Sequence, residues 1–255
     1  MTAVVLALVG AAAGLLGSLM GVGGGIIVVP ALSELHGVPF REAIAVSLVV
    51  IIANSSASSA AYVERGASDL EVGVVLELAT VAGAILGSAV AGLAPVRTLK
   101  LLFAGVAIYS AVSLWLRRHR ASDAQVVGGY AVRGWAPGLA VSVAAGAMSG
   151  LLGIGGGVFK MPAMTLAMGL PFKVAAATSN FMIGVTAAAG AYVYWGRGEV
   201  NAELAAPVVV GAFVGARLGS SLLARLPATR LQTAFAVFLA IMGGRMAWSV
   251  LGGAG

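Results

Sequence analysis

The chain has 255 residues, of which 60% are hydrophobic and 9% charged, and its net charge is +6. A soluble domain has about a quarter of its residues charged, so this composition excludes an ordinary water-soluble fold. The absence of cysteine excludes disulfides, thiolate metal sites and a cysteine nucleophile. The 15 Lys and Arg residues are scattered at the ends of apolar runs, which argues against a nucleic-acid partner.

Eight apolar segments follow one another along the chain, and each predicts a membrane helix. A helical span needs about 20 apolar residues, and no run alternates as a barrel strand would. The segments are 2–35, 40–63, 72–93, 99–116, 135–168, 172–195, 204–223 and 231–251. We therefore expect an all-α polytopic membrane protein. A cleaved signal peptide is not expected, because no basic region precedes the first apolar run.

The two halves of the sequence are copies of each other. The longest polar stretch, 117–133, separates a first repeat, 1–116, from a second repeat, 134–255. Aligning Gly23 with Gly155 fixes an offset of 132 residues (155 minus 23), and this offset also pairs identical residues further along. These pairs include Pro30 with Pro162, Phe40 with Phe172, Ser47 with Ser179, Tyr62 with Tyr194 and Gly83 with Gly215. Duplicated halves with matching glycine-interrupted segments are typical of a secondary transporter whose site lies between the repeats.

A glycine-rich motif near the start of each repeat carries a family resemblance. The sequence GLLGSLMGVGGGIIVVPAL and its echo GAMSGLLGIGGGVFKMPAM, each followed by an HGVPF- or MGLPF-like turn, resemble the TauE/SafE family of membrane permeases. The resemblance covers nearly the whole chain. It implies a multi-pass carrier of the bacterial inner membrane for sulfite, sulfonates or related anions, with direction and substrate varying between members.

The first and fifth segments are too long for straight spans. About 34 residues would make a helix of roughly 50 Å, against a hydrocarbon core of about 30 Å. Successive glycines favour a broken helix or a re-entrant hairpin at Gly23, Gly24 and Gly25, and again at Gly155, Gly156 and Gly157. A new helix start would offer N–H groups to an anion. The alternative is that glycines only permit close helix packing, which we prefer for Gly83, Gly87, Gly215 and Gly219.

The positive charges favour one topology. If each glycine segment enters and returns on one side, the loop Lys and Arg residues split eight to five. The positive-inside rule then places the connector 117–133 in the cytoplasm and makes the two repeats inverted. If all eight segments crossed the membrane fully, these charges would split seven to six, which favours neither orientation.

Two amides inside the predicted spans are candidate site residues. Asn54 and Asn180 have several donors and acceptors to satisfy, so lining a polar path and bonding between helices are equally open. Of the polar residues in these two clusters, only Ser47 and Ser179 coincide at the repeat offset. Ser179 joins the predicted substrate-binding set for this reason.

Three charged residues within the spans are further candidates, because charge in hydrocarbon is costly and marks a pathway or a pair. Lys160 lies just past the second glycine triplet, where its ammonium could meet an anion. Arg217 could contact the anion or extend its guanidinium toward the interface. Glu77 could carry a proton or form an ion pair. We expect Tyr62 and four tryptophans at segment ends to be interfacial anchors.

The duplicated halves predict a transporter that works by alternating access between two repeats, and the family resemblance implies that it exports a small sulfur-containing anion. An anion channel or pore and an importer of a related anion are the alternatives. An intramembrane hydrolase is disfavoured, since both histidines lie in connections, and a purely structural subunit would not need the buried charges. We expect no cofactor and no metal. The expected partners are the anion, the lipid bilayer and a coupling proton or cation; a homodimer is an open alternative.

Overall fold

A computed structural model describes residues 2–117, 130–222 and 228–252, where every regular element is helical. The helices are α1 (Ala3–Met20), α2 (Gly25–Pro30), α3 (Phe40–Glu64), α4 (Leu70–Leu93), α5 (Val96–Arg117), α6 (Trp135–Leu152), α7 (Gly157–Pro162), α8 (Phe172–Gly196), α9 (Ala202–Leu222) and α10 (Ala228–Leu251). Wide turns of π-helix, Ala31–Leu35 and Ala163–Ala167, extend α2 and α7. Most of the predicted connector, 118–129, lies outside the described residues.

Seven helices in the described part of the chain are long and apolar enough to cross a membrane. They are α1, α3, α4, α5, α6, α8 and α9. Two shorter apolar helices, Gly25–Leu35 and Ala236–Leu251, accompany them. Many large apolar side chains on these helices are exposed, as lipid-facing residues are. The chain is a multi-pass, all-helical membrane protein.

The sequence repeat is also a repeat of the backbone. Adding 132 to the bounds of α1, α2 and α3 gives the bounds of α6, α7 and α8. The equivalent helices α3 and α8 pack against each other in opposite directions. Ser55 contacts Asn180 and Gly184, whereas Leu48, earlier in α3, contacts Gly190, later in α8.

The two repeats are interwoven. The most extensive helix contacts join α1 to α9 and α4 to α6, so the first helix of each repeat packs on a helix of the other. A Cβ atom built at Gly83, Gly87, Gly215 or Gly219 would overlap an atom of the neighbouring helix. These four glycines therefore permit close approach of two backbones, as expected for small residues in membrane bundles.

The prediction that Tyr62 is an interfacial anchor is wrong. Its side chain is buried, and its hydroxyl donates a hydrogen bond of 3.1 Å to the Ser18 carbonyl. The equivalent Tyr194 is also buried and donates to Gly150 at 3.0 Å. Because α3 and α8 occupy the centre of the bundle, the ends of these two helices lie against α1 and α6. Trp195, one position further along α8, is exposed.

Candidate functional site

Each glycine triplet folds the chain back on itself. Helix α1 ends at Gly21 and α2 starts after Gly24, and both glycines have positive φ (66° and 78°). A Cβ atom at Gly24 would lie 2.5 Å from the Ala13 carbonyl oxygen, so the chain returns alongside α1. The second repeat does the same at Gly156, which lies against Ala145. We call α1 with α2 the first hairpin, and α6 with α7 the second hairpin.

The tips of the two hairpins contact each other between the repeats. A Cβ atom at Gly25 would overlap the Gly153 carbonyl oxygen, and one at Gly157 would overlap that of Gly21. Two equivalent hydroxyls fasten these tips to the central helices. Ser47 of α3 donates to Gly153, and Ser179 of α8 donates to Gly21, each at 2.8 Å.

Asn180 bonds helices to one another. Its amide nitrogen donates to the carbonyls of Ser18 and Ala176, each at 3.0 Å, and its oxygen accepts from Ser58 at 3.4 Å. All the atoms of this amide are therefore used within the bundle. Asn180 holds the end of α1 against α8.

Asn54 differs from Asn180 in the hydrogen bonding of its side-chain amide. The residue is fully buried, yet neither its amide nitrogen nor its oxygen has a hydrogen-bond partner within the described residues. A buried polar group without a partner is costly and calls for water, an ion or a ligand. The offset of 132 places Asn54 in register with Thr186, a match that the sequence comparison of polar clusters did not include.

Thr186 belongs to a buried charged cluster that joins the two repeats. The Lys160 ammonium lies 3.3 Å from a Glu77 carboxylate oxygen, and 0% and 8% of the two side chains are exposed. Lys160 also donates to the Thr186 hydroxyl at 2.9 Å, and this hydroxyl donates to Glu77. A Cβ atom at Gly156 would lie 3.5 Å from Lys160 Cε. The cluster therefore adjoins the second hairpin tip.

Arg217 does not join this cluster. Its side chain is exposed on α9, between two glycines that pack against α1. The exposed position favours the alternative prediction, in which the Arg217 guanidinium extends toward the interface. Glu77, in contrast, forms the ion pair that the sequence left open beside proton transfer.

The two ends of the bundle differ. A cavity of about 500 Å³ opens where α3 begins and α8 ends, and Pro39, Arg41, Glu42 and 198–201 line it. At the opposite end, the Asp69 amide donates to Thr178 at 2.9 Å. The Tyr130 hydroxyl donates to the Asp69 carboxylate at 2.7 Å.

The Tyr130 contact holds across the physiological pH range. Burial, and then the neighbouring Asp69 carboxylate, raise the pKa of Tyr130 to about 12, so the hydroxyl keeps its proton. Asn201 and Val46 stand at the positions equivalent to Asp69 and Thr178. Val46 has no hydroxyl to accept a bond, so the cavity end lacks this contact.

Comparison with known proteins agrees with this architecture. The family model described as "Sulfite exporter TauE/SafE" matches residues 6–246. The chain belongs to the TauE/SafE family. This TauE/SafE protein is 31% identical to the "Probable membrane transporter protein YunE" of Bacillus subtilis, covering 95% of this chain and 96% of that one. It is therefore a membrane transporter by family, with the bilayer and a small-molecule substrate as its partners.

Other relatives carry similar names. A "Probable membrane transporter protein" of Xylella fastidiosa is 32% identical over 88% of this chain and 84% of its own. The "Probable membrane transporter protein MJ0441" of Methanocaldococcus jannaschii is 26% identical over 93% of this chain and 92% of its own. No solved structure matches the TauE/SafE chain described here.

Substitution of the two buried asparagines separates their roles. Asn180→Leu is expected to destabilise the protein by about 1–3 kcal/mol, because carbonyls that it bonds would lose their donor. Asn54→Leu keeps a similar volume and removes an amide without partners, so stability should be unchanged or higher. Unfolding of both variants in the same detergent is the measurement. Equal losses in the two would show that Asn54 also bonds within the bundle.

Proposed function

We propose that this TauE/SafE protein is a secondary transporter of a small sulfur-containing anion, such as sulfite, a sulfonate or sulfoacetate. It exports the anion across the bacterial inner membrane by alternating access between the two repeats, and it is not an enzyme. The observation that carries the proposal is the contact of the two hairpin tips between the repeats. Broken backbone at membrane depth belongs where it is covered by protein or lines a path.

The anion binds beside the two tips in this proposal. The binding set is Gly23, Gly24, Gly25, Asn54, Gly155, Gly156, Gly157, Lys160, Ser179 and Asn180. Within this set, Lys160 supplies the positive charge, and Asn54 supplies an amide that none of the described residues bonds. A sulfonate or sulfite has several acceptor oxygens and a fixed charge, which suits an ammonium together with amide donors.

The repeats are inverted in this proposal, with the connector in the cytoplasm. The opposite directions of α3 and α8 support it, because equivalent helices of inverted repeats must run in opposite directions. The cavity end then faces away from the cytoplasm. The end at which Tyr130 bonds Asp69 is the closed, cytoplasmic one.

Cysteine labelling tests this topology on a chain that contains no native cysteine. Ala131→Cys, within the connector, and Ala202→Cys, at the start of α9, both replace exposed residues. An impermeant maleimide should reach the first from the cytoplasm and the second from the other side. Labelling of both from the same side would rule out inverted repeats.

A carrier fits the tips better than a pore does. A Cβ atom at any of Gly23, Gly25, Gly155 or Gly157 would lie within 3.1 Å of another atom, so the tips are closely packed. Access to such a site requires movement of one repeat against the other. Flux in proteoliposomes should therefore saturate with anion concentration, whereas a channel would give flux that rises linearly.

A stability screen with the purified protein tests the substrate class. Sulfite, thiosulfate, sulfoacetate and taurine are added singly, since a ligand that binds only the folded state raises its apparent stability. Lys160→Gln should weaken binding of the stabilising anion about ten- to hundredfold, the scale of a hydrogen bond to a charged group.

Arg217→Gln is the matched comparison, because it also removes one positive charge, but from the exposed surface. It should change binding of the stabilising anion by less than about twofold. Equal losses in the Arg217 and Lys160 variants would return Arg217 to the binding site. No stabilisation by any of the four compounds would contradict the proposed substrate class.

A further inference from the structure

The buried ion pair joins the two repeats, and it has no charged counterpart. Val28 of the first repeat and Val209 of the second stand at the positions equivalent to Lys160 and Glu77, and Asn54 stands in place of Thr186. The duplicated fold therefore carries apolar residues at the two positions that mirror the pair. Burying two charges costs desolvation that their attraction only partly returns, and hydrophobic replacements are often neutral or stabilising. The ion pair thus points to a role in transport.

The surroundings of Glu77 leave it few interaction partners. Helix α4 packs on α6 and α8. Helix α6 carries no charged residue. Helix α8 carries one, Lys173, which is exposed at the start of the helix. The two tyrosines of α8, Tyr192 and Tyr194, lie near its other end. The charge facing Glu77 is that of Lys160, from α7. Thr186 bonds both of them.

We propose that this pair couples transport to one proton: the anion takes the place of the Glu77 carboxylate on Lys160, and Glu77 binds a proton as it is displaced. The inference rests on the proposed function, in which the anion binds beside the second hairpin tip. The Lys160 chain runs along that tip, so an anion there and the Glu77 carboxylate compete for one ammonium.

Charge balance explains why a proton accompanies the anion. Before binding, the ammonium and the carboxylate neutralise each other. An added anion would leave one uncompensated negative charge in a dry site, which is costly in a membrane interior. Protonation of Glu77 restores neutrality, and loss of that proton on the other side lets Glu77 return to Lys160 and expel the anion. The Thr186 hydroxyl can accept a bond from the protonated acid or donate one to the carboxylate.

A monoanion and one proton then cross together without net charge, in the direction set by the sum of the anion and proton gradients. Export therefore requires an outward anion gradient that exceeds the inward proton gradient. An imposed membrane potential should therefore leave uptake of a monoanion unchanged, whereas a pH gradient should drive it. This stoichiometry distinguishes the inference from a role in which Lys160 only attracts anions.

Proteoliposomes containing the full chain test the inference with two radiolabelled monoanions, methanesulfonate and sulfite, the latter in mild acid where it is bisulfite. Two assays are compared: exchange of the anion at equal pH on both sides, and net accumulation driven by a pH gradient. For wild type we expect exchange and at least about tenfold accumulation. Glu77→Gln should retain exchange within about fivefold but lose the accumulation. Since both proteins receive the same probe, their difference reports on Glu77 and not on protonation of the probe itself.

Two further variants guard against a merely structural effect. Glu34→Gln removes a carboxylate paired with Lys100 at 3.1 Å elsewhere in the protein, and it should accumulate anion like wild type. Glu77→Val combined with Lys160→Val reproduces the valines found at the two equivalent positions, so it should fold but lose accumulation and most of the exchange. Accumulation by this double variant at the wild-type level would overturn the inference.

The remaining outcomes separate the two proposals. Wild-type exchange without any response to the pH gradient would overturn proton coupling and leave the transporter intact. Failure of wild type to exchange either anion would contradict the proposed function and, with it, the inference. Loss of exchange in Glu77→Gln with retained thermal stability would show that Glu77 serves anion binding itself, which also overturns the coupling step.

Discussion

Lys160→Met is expected to destabilise the protein by about 3–5 kcal/mol, because it leaves the Glu77 carboxylate buried without its partner. The loss should be largest at neutral pH and smaller in acid, where Glu77 can bind a proton and become neutral. Denaturant unfolding of the purified protein in mild detergent, followed by tryptophan fluorescence, measures the difference. The full burial of the Lys160 side chain is what makes the expected effect large.

The double replacement of Lys160 and Glu77 by valine is the control. It removes both charges and copies the valines found at the two equivalent positions, so its stability should lie within about 1 kcal/mol of wild type. Lys100→Met removes a cation from a more exposed pair, with 26% of Lys100 accessible, and should cost at most about 1 kcal/mol. A double variant as unstable as Lys160→Met would show that the pair is a net stabilising contact.

Gly25→Ala and Gly157→Ala are each expected to destabilise the fold by more than about 3 kcal/mol. The added methyl group would overlap a carbonyl oxygen of the opposite hairpin tip. A backbone carbonyl cannot rotate aside as a flexible side chain can, so the hairpins must separate. Thermal unfolding and the fraction of monodisperse protein on size exclusion report the effect.

Gly105→Ala provides the matched control for the tip glycines. This glycine lies within helix α5, and among the described residues no atom outside its own helix stands within 4 Å of the added Cβ. Alanine is the better helix former by about 1 kcal/mol, so this variant should be as stable as wild type or slightly more so. If the two tip variants behave like Gly105→Ala, the hairpins do not touch in the membrane protein.

The hairpins and the repeat could be predicted from sequence because their signals are local. Consecutive glycines within an apolar run too long for one span indicate a break in the helix, whatever that helix packs against. The constant offset of 132 residues carries the helix bounds of the first repeat onto the second. Gly23 and Gly155 were sufficient to locate both features.

The buried cluster could not be assembled from sequence. Glu77 and Lys160 are 83 residues apart, and only the packing of α4, α7 and α8 brings them together. Thr186 carries no signal alone, although the offset that relates it to Asn54 would have identified it. The prediction that Tyr62 is an interfacial anchor failed for a related reason. Its position at a segment end does not show whether that end faces lipid or another helix.

The interwoven packing of α1 has a consequence for how the chain is made. Its partner α9 begins at Ala202, which follows Met20 by 182 residues (202 minus 20). At a synthesis rate of about 5–20 residues per second, α1 must wait roughly 10–40 s for that partner to leave the ribosome. Throughout this interval its glycine-lined face lies against lipid or the insertion machinery. This exposure of α1 to lipid costs little free energy, because the face that later packs on α9 carries small residues and no charged side chain.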